Sequence, residues 1–509
     1  MSPVSVWLHS ISQPSPMFWE YILLSPRIIN LTSNHFEHPF ITPFTEMATQ
    51  PKSPLPIQLL PLSEFKPIAS SRAWVSIPNP NNLPLLATGT SDKTVRIYSL
   101  QNFTLHSTLE GGHTRSVRSV SWKPSTKPNA PLNIASGSFD ASIGLWRRQA
   151  DETSRDGRAN GPTLEREIKT SGTQEIEESD GSEAEEDWGF MLVLEGHDSE
   201  VKNIAYSPSG QFLASCSRDK SIWIWEEVGE EGDDDWETIA VLQEHTADVK
   251  SICWRENDGN GEVLASASYD DTIRLWKEVE EGEWGCFAEL GGDGSTDGHT
   301  GTVWSLAWEP AISQEPVKES KDTDDSSSVP TPRLISSSAD CTIRVWSLVP
   351  APPQPNKPSY FNSSIPSTMR PPPANETWVC TGTLPTAHDF PIYSIDWSKK
   401  SGRVVSTGGD GKIVVYEEKT KGRTSVGGAI EKQWEIIGVL ESGHGPYEIN
   451  HVTWCTRYDA GKTQKDEEMI ITTGDDGVAR AWAIDEAHPE LNLAQTGVEG
   501  IKLEDRKGN

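Results

Sequence analysis

Short runs in which apolar and polar residues alternate recur along the chain, separated by turns rich in Asp, Ser and Gly. In "SIWIW", Ile222 and Ile224 alternate with two tryptophans, and this period of two residues predicts a β-strand that is covered on both faces. Arg218 and Asp219 come directly before this run. Because charged side chains do not fit a doubly covered strand, both are predicted to lie in a tight turn between two strands.

The predicted strand–turn–strand unit occurs seven times with identical spacing. Each unit has a Ser or Thr, an Asp four residues later, and an aromatic residue six residues after the Asp. The seven sets are Thr88, Asp92 and Tyr98; Ser136, Asp140 and Trp146; Ser215, Asp219 and Trp225; Ser266, Asp270 and Trp276; Ser336, Asp340 and Trp346; Ser406, Asp410 and Tyr416; and Thr472, Asp476 and Trp482. Such regular repetition predicts a ring or solenoid of similar units.

Each unit also contains two further strands. Six units have an upstream histidine, followed by a run that ends in an aromatic residue, such as "VKNIAY" or "VKSICW"; the histidines are His113, His197, His245, His299, His388 and His444. A fourth apolar run follows the last aromatic residue. Four short strands repeated seven times predict an all-β, seven-bladed β-propeller. The Gly-His pairs and the Asp-to-Trp spacing resemble WD40 repeats over residues 57–484.

A propeller needs its two ends to meet, because an open ring leaves strand edges unpaired. The seventh unit ends near Trp482, and the polar sequence after it predicts no fourth strand. "PIQLLPLSEF", residues 56–65, has a suitable length and apolarity, so we predict that this N-terminal strand completes blade seven. The expected organisation is a flexible extension over 1–53, the propeller over 54–486 and a tail over 487–509.

Four insertions interrupt the blades, and we expect them to be disordered. They are 149–187, 311–331, 349–376 and 418–432. The first is rich in acidic residues and the third is rich in proline, compositions that favour solvated chain. The proline-rich segment is also a candidate partner ligand.

The recurring Ser, His, Asp and Trp side chains can satisfy one another in the interior. A Trp indole can donate to the Ser hydroxyl, the hydroxyl to the histidine, and the other histidine nitrogen to the Asp. Ser, His and Asp together also suggest a hydrolase triad. A catalytic triad is a singular site, whereas this set recurs in six units, and no GxSxG, P-loop or HExxH motif occurs. We therefore predict a structural network, no catalytic residues and no enzymatic activity.

Charge and cysteine content exclude several classes of function. The formal net charge of −31 argues against non-specific nucleic-acid binding. The six cysteines contain no CxxC pair, so we predict no metal site or resident cofactor formed by neighbouring thiols, and we expect a reducing compartment. No apolar run approaches the ~20 residues that span a bilayer, so no membrane interaction is predicted.

Residues at equivalent positions of the seven units should agree where they serve the fold and differ where they serve function, and two positions of the repeat are therefore compared. Directly before the turn Asp stand Ser91, Phe139, Arg218, Tyr269, Ala339, Gly409 and Asp475. Five residues after the histidine stand Arg118, Lys202, Lys250, Trp304 and Tyr393. Basic and aromatic residues on consecutive blades of an acidic protein predict a docking surface for an acidic or carboxylate-ended partner segment, with Arg218 as its bidentate anchor. The alternative is that each basic side chain only pairs with a neighbouring acid.

A narrower resemblance is carried by "SCSRDKSIWIW" in the third unit, "SASYDD" in the fourth and the acidic "EEVGEEGDDDWE" between them. These segments resemble the WD40 subunit of the cytosolic iron-sulfur protein assembly (CIA) machinery. The resemblance implies a non-enzymatic adaptor that helps deliver [4Fe-4S] clusters to cytosolic and nuclear apoproteins.

The partners that the resemblance implies are other subunits of the CIA targeting complex, namely a small assembly protein and a HEAT-repeat scaffold, together with a hydrogenase-like cluster carrier and client apoproteins. It implies a location in the cytoplasm and also in the nucleus. It also matches Arg218 to a functionally important surface arginine. The long insertions and the missing first histidine depart from the family pattern. The alternative function is a WD40 substrate receptor of a ubiquitin ligase or a chromatin reader.

Overall fold

A computed structural model describes residues 55–125, 127, 130–148, 188–229, 235–256, 261–280, 282–292, 297–311, 331–349, 376–423 and 430–486. The chain divides between Ser53 and Pro54, and every described residue belongs to the second unit. The described residues form seven sheets, each of four antiparallel strands. These segments contain no helix that is long and apolar enough to span a membrane.

Each blade orders its strands a to d from the central axis outward, and the strand numbers follow the chain. The first strand is β1 (Ile57–Glu64). Blade one is β2 (Ala73–Pro78), β3 (Leu85–Thr90), β4 (Val95–Ser99) and β5 (Leu105–Leu109); blade two is β6 (Val117–Trp122), β7 (Leu132–Ser138), β8 (Ile143–Arg148) and β9 (Trp188–Leu194); blade three is β10 (Val201–Tyr206), β11 (Phe212–Ser217), β12 (Ile222–Glu227) and β13 (Trp236–Leu242).

The remaining blades follow the same order. Blade four is β14 (Val249–Trp254), β15 (Val263–Ser268), β16 (Ile273–Glu280) and β17 (Glu283–Leu290); blade five is β18 (Val303–Trp308), β19 (Arg333–Ser338), β20 (Ile343–Leu348) and β21 (Trp378–Thr383). Blade six is β22 (Ile392–Trp397), β23 (Val404–Gly408), β24 (Ile413–Arg423) and β25 (Ile430–Leu440); blade seven is β26 (Ile449–Thr456), β27 (Glu468–Gly474), β28 (Ala479–Glu486) and β1. The predicted all-β, seven-bladed propeller is confirmed.

The hydrophobic core lies between adjacent blades, which explains why the inner strands are apolar on both faces. Ile222 and Ile224 of β12 are fully buried and share one cluster with Ile252 and Trp276 of blade four. The aromatic residue that ends strand a also ties neighbouring blades together, because the Trp254 indole donates to a backbone carbonyl of blade three at 2.9 Å. Packing between blades therefore holds the ring in register.

The N-terminal strand closes the ring as predicted. β1 pairs antiparallel with β28, with Leu59 opposite Ile484, and a register shift falls between Pro61 and Ser63. Proline lacks an N–H donor, so a bulge is a suitable place for it. Ile57 and Leu59 are 4% and 7% exposed and pack in the core cluster between blades six and seven. Blade seven thus joins the first and last strands of the propeller.

The prediction that residues 418–432 form a disordered insertion is wrong for most of this segment. β24 and β25 form a long hairpin that continues to Arg423 and resumes at Ile430. Cross-strand ion pairs stabilise this solvated extension: the Lys419 ammonium lies 3.0 Å from Glu435, and Lys432 lies 3.2 Å from Glu418. Paired charges on opposite strands let a polar segment remain in the sheet.

The other predicted insertions and both predicted terminal segments lie wholly or largely outside the described residues. Their flanks are nevertheless placed: 149–187 connects β8 to β9, 311–331 connects β18 to β19, and 349–376 connects β20 to β21. Each insertion therefore leaves its blade with four strands in the usual order.

Candidate functional site

The turns between strands b and c lie on one face of the ring, called here the top face, and Asp219 organises the one that carries Arg218. One Asp219 oxygen accepts two hydrogen bonds from Ser221, one from its backbone N–H at 2.8 Å and one from its hydroxyl at 2.5 Å. The other accepts the backbone N–H of Asp198, from the loop between blades, at 3.0 Å. Lys220 takes a positive φ of 72°, which completes the tight turn. Asp219 thus fixes the chain on both sides of Arg218.

The predicted side-chain network is present and runs inward from the turn. In blade three, His197 Nδ1 lies 2.8 Å from Asp219 and Nε2 lies 2.8 Å from Ser215 Oγ. The Trp225 indole donates to the same Oγ at 3.0 Å. Every group is satisfied when Nδ1–H donates to the carboxylate and the Ser hydroxyl donates to Nε2. The histidine is almost fully buried, so the chain of bonds replaces lost hydration.

The same arrangement recurs in the other histidine-containing blades. The His–Asp and His–Ser or His–Thr distances are 3.3 and 2.8 Å for His113, Asp140 and Ser136; 2.9 and 2.8 Å for His245, Asp270 and Ser266; 2.9 and 2.8 Å for His299, Asp340 and Ser336; 3.0 and 2.7 Å for His388, Asp410 and Ser406; and 2.9 and 2.8 Å for His444, Asp476 and Thr472. Trp146, Trp276, Trp346 and Trp482 donate to the same hydroxyls at 2.8–2.9 Å. Six copies indicate a structural device of the fold.

In blade one the turn aspartate, Asp92, is held without a histidine. Arg96 Nη2 donates to Asp92 at 2.7 Å, and the Thr94 hydroxyl donates to the other Asp92 oxygen at 2.7 Å. Tyr98 replaces the tryptophan and donates to the carbonyl of Pro67 at 3.0 Å. An arginine from strand c therefore holds the turn aspartate where no histidine is available.

The turn aspartates are held in the ionised state. Burial raises the pKa of Asp219, but the hydrogen bonds from His197 and Ser221 and the charge interaction with His197 outweigh it and leave the pKa well below the ordinary value. The same balance lowers the pKa of Asp270, where His245 and Thr272 are the donors. Burial is the main reason why the pKa of His299 lies below its ordinary value, which keeps this imidazole neutral. A carboxylate that is already ionised and fully bonded suits a structural anchor.

Arg218 projects from this rigid turn into solvent. Its side chain is 59% exposed, and its guanidinium lies 3.8 Å from Glu200, at the far limit of an ion pair. Glu200 binds Lys202 more closely, at 2.6 Å, and also contacts Arg115 at 3.3 Å. Burial raises the pKa of Glu200, but the hydrogen bond from Lys202 and the charges of the nearby cations outweigh this effect. The pKa is therefore below its ordinary value, and the carboxylate is ionised. One carboxylate therefore serves three cations and leaves positive charge in excess.

The five residues predicted to accompany Arg218 lie deeper than expected. Arg118, Lys202, Lys250, Trp304 and Tyr393 occupy the second position of strand a in blades two to six. All five line the central channel, a cavity of about 490 Å³, and each is only partly exposed. They surround the top mouth of the channel, whereas Arg218, Phe139 and Tyr269 stand outside its lining.

Ring contacts connect the channel residues to Phe139 and Tyr269, and Glu200 connects Lys202 to Arg218. The resulting surface is called here the top-face patch: Arg118, Phe139, Lys202, Arg218, Lys250, Tyr269, Trp304 and Tyr393. The Lys202 ammonium lies 4.8 Å from the centre of the Phe139 ring. The Lys250 ammonium lies between two rings, 4.4 Å from Tyr269 and 4.3 Å from Trp304. Trp304 contacts Tyr393 with ring centres 4.9 Å apart. Cation–π contacts of this kind orient the basic side chains.

The structure adds residues that the sequence pattern missed. Trp74 holds the channel position in blade one and packs 5.1 Å from the Arg118 guanidinium, and Asn450 holds it in blade seven. Trp74 could not be found by counting from a histidine, because the first unit lacks the histidine that precedes strand a in the other units. Arg115 lies in the loop between blades one and two and Glu200 in the loop between blades two and three, and no repeat spacing distinguishes them. Within the described segments, no group of three His, Cys, Asp or Glu side chains is placed to hold a metal ion.

Comparison with known proteins agrees with this architecture. The chain matches the WD40 family (WD domain, G-beta repeat) over residues 103–147, 188–226, 236–277, 319–347 and 378–417. It is 62% identical over 444 residues to a protein of Botryotinia fuckeliana named "Probable cytosolic iron-sulfur protein assembly protein 1", and the match covers 86% of this chain and 100% of that protein.

Relatives of the same name in two other fungi extend the comparison. The Sclerotinia sclerotiorum protein is 60% identical over 85% of this chain and 98% of its own length. The Neurospora crassa protein is 42% identical over 84% of this chain and 96% of its own length. With seven WD40 blades and this level of identity over nearly the whole length of each relative, the chain belongs to the cytosolic iron-sulfur protein assembly protein 1 family of WD40 proteins.

Proposed function

We propose that the chain is a non-enzymatic adaptor in the late step of cytosolic iron-sulfur protein assembly, where it helps deliver [4Fe-4S] clusters to apoproteins. The observation that carries this proposal is the exposed Arg218 on a rigid turn of a chain whose relatives are named for this process. The Ser, His and Asp side chains are already engaged in six equivalent networks, which favours a scaffold over a hydrolase.

The top-face patch is suited to hold an acidic or carboxylate-ended segment of a partner protein. Arg218 can offer two parallel N–H donors to a carboxylate, and the Phe139 and Tyr269 rings on the blades to either side offer apolar contact. Its present contact with Glu200 is long and solvent-exposed, so it is worth at most about 1 kcal/mol. A partner carboxylate can therefore displace this contact at small cost.

The proposed partners are those of the CIA pathway. They are a small assembly protein, a HEAT-repeat scaffold, a hydrogenase-like cluster carrier and the recipient apoproteins. The relatives' names place them in the cytosolic pathway, and we propose that this chain also acts on recipients in the nucleus. An iron-sulfur cluster is cargo in this proposal, since the adaptor positions proteins and supplies no cluster ligands of its own.

A charge reversal at Arg218 tests the proposal. Arg218→Glu is expected to leave the fold intact, because the side chain is 59% exposed, and to weaken binding of the small assembly protein at least tenfold. Lys465→Glu is the matched control, because Lys465 is exposed in the loop between β26 and β27 on the opposite face. Purified proteins are compared by calorimetry. Equal affinity of wild type and Arg218→Glu would remove the top face from the partner interface.

A further inference from the structure

The top mouth of the central channel carries a concentration of positive charge. The second residues of the seven a strands are Trp74, Arg118, Lys202, Lys250, Trp304, Tyr393 and Asn450, and all of them except Trp74 line the channel. Three consecutive blades, two to four, place a cation there. In a chain with a formal net charge of −31, three adjacent cations are not a product of overall composition.

Two of these cations lack a neutralising carboxylate. Lys202 is paired with Glu200 at 2.6 Å, but in the part of the chain that the structure describes neither Arg118 nor Lys250 makes an ion pair. Their neighbours are aromatic rings: Trp74 for Arg118, and Tyr269 with Trp304 for Lys250. The acidic residues that line the channel, Asp396 and Glu256, come at or after the other end of strand a.

The three cations repel one another across the channel mouth. Burial lowers the pKa of Lys250 to about 7, and the charges of Lys202 and Arg118 contribute to the shift. Burial also lowers the pKa of Arg118 to about 10. A negative ligand between these side chains would relieve both the repulsion and the loss of hydration. The channel has room for it, since the cavity holds about 490 Å³.

We infer that the top mouth of the channel binds a small multivalent oxyanion of the phosphate class, orthophosphate or pyrophosphate, held by Arg118, Lys202 and Lys250. Phosphate oxygens can accept hydrogen bonds from several directions, which suits three donors that line the channel from three consecutive blades. A single carboxylate has two oxygens and one charge and matches this arrangement less well. The inference goes beyond the adaptor function, because its ligand is a small anion and Arg218 lies outside the channel lining.

Pyrophosphate binding to the full chain tests the inference. Titration calorimetry is expected to show one site, and the unfolding temperature is expected to rise with pyrophosphate concentration, beyond the effect of sodium chloride at matched ionic strength. Lys250→Met, which keeps an apolar side chain between the two rings, is expected to weaken binding at least tenfold. Lys220→Met is the matched control, because Lys220 is exposed on the neighbouring turn and does not line the channel.

A charge-conserving variant separates the site from general electrostatics. Lys250→Arg is expected to retain binding within about threefold but to take up fewer protons on binding, measured near pH 7.5 in buffers of different ionisation enthalpy. The reason is that an anion raises the pKa of Lys250, which burial and the charges of Lys202 and Arg118 lower and which Asp248 and Cys216 raise. An arginine stays protonated throughout this pH range.

The outcomes distinguish binding of a small anion in the channel from partner binding that depends on Arg218. Arg218→Glu is expected to bind pyrophosphate as the wild type does, even if partner binding is lost. Equal pyrophosphate affinity of the wild type and Lys250→Met would overturn the inference, as would no stabilisation beyond that of sodium chloride. Stabilisation by citrate without stabilisation by either phosphate would also overturn it, because the site would then select carboxylates.

Discussion

Loss of one hydroxyl from the repeated network should cost far more than its size suggests. In blade four, Ser266 Oγ accepts the Trp276 indole at 2.8 Å and lies 2.8 Å from His245 Nε2. Ser266→Ala leaves a buried N–H donor and a buried nitrogen acceptor without partners, and Ser266 is fully buried, so water cannot replace them. Each buried polar group left unpaired costs about 1–3 kcal/mol, so we expect a loss of about 2–6 kcal/mol in the free energy of unfolding.

Equilibrium unfolding in urea, followed by tryptophan fluorescence, measures this loss. Ser266→Thr is the rescue variant, because Thr472 fills the equivalent position in blade seven with the same two contacts, and it should lie within about 1 kcal/mol of the wild type. Thr88→Ala in blade one is the second control: its hydroxyl makes one weak bond, to the Arg96 carbonyl at 3.3 Å, so about 1 kcal/mol is expected. Equal costs for Ser266→Ala and Thr88→Ala would refute the reasoning.

Three further predictions concern pH, ring closure and iron. The folded-state pKa values of the turn aspartates lie below the ordinary value of 3.8, so the stability that these carboxylates contribute is present above pH 3.8 and is lost as the pH falls below it. A free energy of unfolding that stays constant from pH 6 to 3 would contradict this prediction. Leu59→Asp buries a charge where β1 packs between blades six and seven, so it should lower the free energy of unfolding by more than about 3 kcal/mol. Leu60 is 44% exposed on the other face of β1, and Leu60→Asp should lower it by less than about 1 kcal/mol in the same urea assay. Protein expressed and purified alone should contain far less iron than one cluster per chain by elemental analysis, and stoichiometric iron would contradict the adaptor role.

Spacing alone was sufficient to predict most of the architecture. The distance from Ser215 to Asp219 and on to Trp225 is repeated in all seven units, so the strand–turn–strand geometry could be derived from one unit and applied to the others. The closing strand was predictable because blade seven lacked a fourth strand and residues 56–65 were apolar. Hydrogen-bond chemistry then predicted the order Trp, Ser, His, Asp, which the structure reproduces in blade three.

Features that depend on tertiary contact could not be predicted in this way. The hairpin of β24 and β25 is polar, and its backbone pairing from Ile413 to Arg423, accompanied by cross-strand ion pairs such as Lys419 with Glu435, is visible only in the folded sheet. Repeat spacing placed Arg118 and Lys250 at equivalent positions, but the inward direction of strand a, and therefore the channel, follows from ring closure. The role of Arg96 in place of the missing histidine of blade one was equally hidden, because arginine also stands four residues after the turn Asp in three units that keep the histidine, such as Arg480 in blade seven.

Affinity purification of the full-length chain from its own cells, followed by quantitative mass spectrometry, tests the central claim most directly. Wild type and Arg218→Glu are compared at equal expression, with Lys465→Glu as the charge-matched control. The account predicts that assembly proteins of the cytosolic iron-sulfur pathway and iron-sulfur apoproteins are enriched with the wild type and with Lys465→Glu and are depleted with Arg218→Glu. Enrichment of a cullin ligase or of histones, with no iron-sulfur assembly protein, would contradict it.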